Sequence, residues 1–175
     1  MRVYNRIIKS RSEVIVMKQK SITIWLKAVT AAMALLGLAF FGGGTLYAFC
    51  FKPDYNEPVP VYLRQNIVAW WITAVICYLI LFFFGKIVKE IGDSNSFSLE
   101  NVKNFKCMGI CGALAIIEYA VQILVWLIKG RIELIPLSYT FLKIIVFVLF
   151  VILCYAMSKL VQNAYEIKQE NELTI

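Results

Sequence analysis

Histidine is absent from this chain. That removes imidazole as a general base or a metal ligand, so His-based hydrolysis, zinc and haem chemistry are all excluded within it. The five cysteines, Cys50, Cys77, Cys107, Cys111 and Cys154, form no CxxC pair, and most fall in apolar stretches where a free thiol packs as a small hydrophobe. Charge is sparse as well: 17% of residues are charged, and they cluster between apolar runs. Proline is scarce, and three of the four prolines crowd into one connection, Lys52 to Gln65 (KPDYNEPVPVYLRQ), where they forbid a regular helix.

What fills the chain instead is apolar. At 61% hydrophobic residues and a mean hydropathy of +0.74 it lies well above an ordinary soluble domain, in which about half of the residues are apolar. Crossing a bilayer takes about 20 apolar residues, since the hydrocarbon core is about 30 Å thick and a helix rises about 1.5 Å per residue. Four stretches qualify, at about 28–51, 66–84, 106–128 and 137–157. The expected fold is all-α, an integral membrane four-helix bundle. A basic segment (1–27) precedes a membrane domain (28–158), and an amphipathic tail (159–175) follows it.

Orientation follows from counting Lys and Arg. Seven lie in residues 1–27, four in the 85–106 connection and two at the C-terminus; the other two connections hold two each, and Lys143 completes the 18. The positive-inside rule then puts both termini in the cytoplasm. The net charge of +7 belongs to the same pattern. Basic residues beside spans meet anionic lipid, and no stretch combines a basic face with stacking aromatics outside the membrane, so no direct contact with nucleic acid is expected.

Along the chain, Val3, Ile7, Ile8, Val14 and Ile15 share a rough helical face in the basic segment, consistent with an interfacial helix. Met17 is an alternative start. In the first span, Ala28 and Ala32, then Ala39 and Gly43, stand four apart, a spacing that admits a neighbouring helix; Gly42 to Gly44 weaken its outer third. The connection GKIVKEIGDSNSFSLENVKNFK holds a turn at Gly92 to Asn95. Ser98 follows as N-cap of a helix starting near Leu99, with Glu100 in its first turn and Phe97 and Val102 spaced as a hydrophobic staple. Pro136 suits the first position of the fourth helix. Beyond Met157 the helical pattern continues through Leu160, Val161, Ala164 and Ile167.

The phrase Phe97, Ser98, Glu100, Asn101 and the ending Asn171, Glu172, Leu173, Thr174, Ile175 resemble a bacterial family of four-span membrane proteins, domain of unknown function 2975 (DUF2975). The resemblance runs from about Met17 to the end and implies the four-span fold. Family members are often encoded beside a small helix-turn-helix regulator, so the resemblance also implies such a cytoplasmic partner. It would dock on Phe97, Ser98, Glu100 and Asn101 and on Glu172, Leu173 and Thr174.

One carboxylate, Glu118, breaks an apolar span at a cost of about 2.5–3.5 kcal/mol on insertion scales. Gln122 lies one turn on, and Cys111 and Ala115 share its side, so that face is expected to point inward. Lys143, about 8 Å below the outer end of the fourth helix, is within rough reach of Glu118, about 15 Å down the third. A structural ion pair, or a protonated Glu118 bonded to Gln122 and Tyr139, explains these residues without a function. A proton or ligand site is the functional alternative, though one acid without a polar chain across the bilayer makes a poor relay. Three classes of function follow. The first is a regulatory or interaction protein of the cell membrane; the second is a small transporter, channel-like or immunity-type protein using Glu118. The third, an enzyme such as a thiol oxidant, is rejected for want of paired outer thiols. No cofactor or metal is expected. Contact with the lipid bilayer is expected, and homo-oligomerisation stays open.

Overall fold

A computed structural model of the chain describes residues 2–50, 63–93, 95–130 and 134–173, and their side chains except those of 2–19, 135 and 172–173. Residues 51–62 of the proline-rich connection, the side chains of the Val3 to Ile15 face and the last two residues lie outside what is described. Among the described residues the fold is four long helices: α1, Arg2–Cys50; α2, Ile67–Gly92; α3, Leu99–Ile128; and α4, Leu134–Leu173. Each contains a stretch long and apolar enough to cross a membrane. No strand occurs among the described residues. Each helix packs on its neighbour in sequence, α1 on α2, α2 on α3 and α3 on α4.

The centre of the bundle is built by α2, α3 and α4. Ile76 of α2 packs with Cys111, Ala115 and Tyr119 of α3, and Ile144 and Phe147 of α4 close over them. Nearer the other end Ile87, Met108 and Cys154 make a second cluster. The α3–α4 approach depends on Gly112, where a Cβ would stand 2.9 Å from Val151 Cγ2 and 3.0 Å from Phe150 Cδ1. In lipid such small-residue contacts carry helix association, because the tails are as apolar as the side chains.

α1 lies against α2 in a different way. Its inward face is Ala34, Gly37, Phe41, Gly44 and Ala48, alternating three and four apart, the repeat of helices that cross at a shallow angle. Down this face α2 and the turn before it donate four hydrogen bonds to three main-chain carbonyls. Tyr78 OH reaches Ala34 O at 2.7 Å, Trp70 Nε1 reaches Phe41 O at 3.1 Å, and Arg64 Nη2 and Nε reach Ala48 O at 2.7 and 3.1 Å. The acceptors are seven residues apart, and each bond gives a polar tip a partner in an apolar medium. Gly37 and Gly44 leave room for the Tyr78 and Trp70 rings. The expected pairs turn out otherwise: Ala28, Ala32, Ala39 and Gly43 are exposed, and the helix runs unbroken through Gly42 to Gly44.

The expected helix start at Leu99 is present. Ser98 Oγ accepts from Asn101 N at 3.1 Å, and Glu100 lies in the first turn. Phe97 is 52% exposed while Val102 is buried, so polar bonds fix the entry more than an apolar staple. Glu90 Oε2 accepts from Asn95 Nδ2 at 3.0 Å and from Ser98 Oγ at 3.4 Å, tying the end of α2 to the start of α3. At the other end Gly130 has φ of +62°, the left-handed residue that terminates α3. Pro136 is the third residue of α4 rather than the first, still in the turn whose N–H groups have no helical acceptor.

Candidate functional site

The inward face of α3 runs Met108, Cys111, Gly112, Ala115 and Tyr119, all buried. Glu118 lies at its edge, half-buried and turned towards α2. There Thr73 Oγ1 donates to Glu118 Oε2 at 3.3 Å, with Tyr119 OH a further 3.4 Å contact of the same hydroxyl. Glu118 Oε1 is buried and has no hydrogen-bond partner among the described residues. A carboxylate oxygen accepts up to two bonds, and burying one with none is costly.

Lys143 brings its ammonium over the ring of Tyr119, 5.3 Å from the centroid, a cation–π distance. Lys143 and Glu118 line one half-enclosed cavity of about 260 Å³, to which all four helices contribute. Phe40 and Phe41 of α1 and Trp70 of α2 form its apolar wall, with ring centroids 5.0–5.4 Å apart. Thr73 and Cys77 of α2, Gln122 of α3 and Phe147 of α4 complete the lining, with Leu63 and Asn66 at one end. On the other side of the α2–α3 seam Glu118 and Gln122 also border an open groove with Ile72, Leu114 and Trp126.

The structure thus gathers Glu118, Gln122 and Lys143 around one space, with bonding that differs from expectation. Gln122 Nε2 donates to Asn66 Oδ1 at 3.3 Å, and Trp126 Nε1 donates to the same oxygen at 3.3 Å. Tyr139 is 63% exposed and takes no part in holding Glu118. Thr73 and Asn66 are cavity residues that the sequence did not single out, and Trp70 and Cys77 join them there. A polar residue facing inward from an otherwise apolar helix, as Thr73 does, was the one available signal.

The phrase Phe97, Ser98, Glu100 and Asn101 is mostly internal. Asn101 is 1% exposed and donates from Nδ2 to Ser96 O at 2.9 Å; Ser98 is buried in the cap. Phe97 and Glu100 are exposed and remain available to a partner. Glu172 and Leu173 fall in the last turn of α4 with side chains not described, and Thr174 lies outside the described residues. No group of three His, Cys, Asp or Glu side chains that could hold a metal occurs among the described residues.

The family described as protein of unknown function (DUF2975) matches residues 51–175, so α1 and the basic segment precede the matched region. No curated protein and no solved structure matches the chain. The match takes in α2, α3 and α4, the Ser98–Asn101 cap and both charged residues of the cavity. This multi-pass membrane protein is a member of the DUF2975 family.

Proposed function

We propose that this protein is a non-catalytic regulatory or interaction protein of the cell membrane, with both termini cytoplasmic, that docks a cytoplasmic partner such as a small helix-turn-helix regulator. The observation that carries this reading is the length of α4. Its 40 residues make a helix of about 60 Å, twice the hydrocarbon thickness. Past Met157 the surface is polar, yet Leu160 and Ile167 are 62% and 59% exposed, seven residues apart, on the part that is cytoplasmic in the proposed orientation. An exposed apolar pair at heptad spacing on a polar helix is what a partner helix or groove recognises. The Lys and Arg asymmetry supports the orientation.

Recovery of a bound cytoplasmic protein from mild detergent tests the reading. Leu160→Glu with Ile167→Glu is expected to abolish recovery, while Glu118→Gln leaves it intact. Undiminished recovery with the double substitution contradicts it. A second reading, a small transporter or channel-like protein, draws on the cavity that holds Glu118 and Lys143. It predicts instead that Glu118→Gln removes flux in liposomes.

A further inference from the structure

The cavity is lined by one acidic and one basic side chain, half-buried Glu118 and exposed Lys143, and among the described residues the two form no ion pair. Glu118 Oε1 is buried without a hydrogen-bond partner among the described residues, so it calls for a donor. The Lys143 ammonium has three donors and faces a π surface, which satisfies none of them with a lone pair. The Phe40–Trp70–Phe41 wall lines the same cavity. With both side chains ionised the lining is neutral overall. A singly charged ligand would leave one charge unmatched in a medium of low dielectric, whereas a zwitterion matches both. A dry cavity of about 150 Å³ already accommodates benzene, so about 260 Å³ suits an aromatic ring with a short polar head.

The geometry points to a binding site for a small zwitterion, an ammonium and a carboxylate on one apolar, preferably aromatic, body. The ammonium donates to Glu118 Oε1, the carboxylate accepts from Lys143, and the body lies against Phe40, Phe41 and Trp70. Binding there requires neither a cytoplasmic partner nor transport.

Cys77 lines the same cavity and is half-buried, so its alkylation by a membrane-permeant maleimide, followed by mass spectrometry, reports occupancy. The probes are L-phenylalanine, its decarboxylated amine phenethylamine, and its deaminated acid 3-phenylpropionate, each added to the full chain in nanodiscs. The expected result is that L-phenylalanine slows Cys77 alkylation, with a half-protecting concentration at least roughly tenfold below that of either singly charged analogue. Glu118→Gln and Lys143→Met should each abolish that preference. Absence of protection by L-phenylalanine, or equal protection by all three compounds, overturns the site. Buried Cys111 and Cys154 should stay unmodified in any folded variant. If a variant fails that check, the three compounds on the unaltered chain decide alone.

Discussion

The indole N–H of Trp70 bonds the main-chain carbonyl of Phe41 at 3.1 Å, while its ring lies so close to Gly44 that a Cβ there would stand 2.8 Å from Cζ2. One side chain therefore sets both the register and the spacing of α1 on α2. Gly44→Val should push the helices apart and cost about 1–3 kcal/mol. Trp70→Phe removes the Nε1 donor and part of the ring and should cost about 0.6 kcal/mol or more, the average worth of a side-chain hydrogen bond in lipid. Spin labels on α1 and α2, read by distance measurement, should report separation for the first and not for the second.

Glu118 and Lys143 share a cavity without closing on each other, so their energetic coupling is measurable. Either Glu118→Leu or Lys143→Met alone leaves one charge in apolar surroundings. The double variant removes both and should be more stable than the sum of the single losses predicts, by about 1 kcal/mol or more. Unfolding of the four chains in one detergent completes the cycle. Strict additivity would mean that the two groups do not sense each other.

Ser98 caps α3 and bonds Glu90, so its role is internal. Ser98→Ala should lower stability by about 1 kcal/mol and leave partner recovery unchanged below the melting temperature. Asn101→Ala should cost more, about 1–3 kcal/mol, because it empties a buried site and removes the Nδ2 bond to Ser96 O. Phe97→Ala should behave in the opposite way, sparing stability and weakening any partner that uses this turn.

Much of the architecture was legible in the sequence. The four apolar stretches gave the helices, Ser98 and Glu100 gave the start of α3, and Leu160 to Ile167 gave the extension of α4. The packing face of α1 was misread because in a lipid-embedded helix every side is apolar. Hydropathy then cannot tell Ala39, which is exposed, from Ala48, which is buried. The heptad of Ala34, Phe41 and Ala48 with intervening glycines was the usable signal. Glu118 stood out as a costly residue, but its bond to Thr73 joins positions 45 apart and depends on how α2 rotates against α3. The same holds for Asn66, the N-cap residue of α2, whose side chain makes no cap bond and accepts from Gln122 and Trp126. Ser98 and Asn101 looked like a docking phrase because an exposed connection carries them; folding turns both inward to satisfy the main chain.

The polar end of α4 has to stand in the cytoplasm for the proposed role to hold, and cysteine accessibility in intact cells tests this directly. In a chain freed of its native cysteines, Ile167→Cys should resist a membrane-impermeant maleimide until the cells are opened, whereas Lys129→Cys should react from outside. Labelling of Ile167→Cys on unbroken cells would contradict the account.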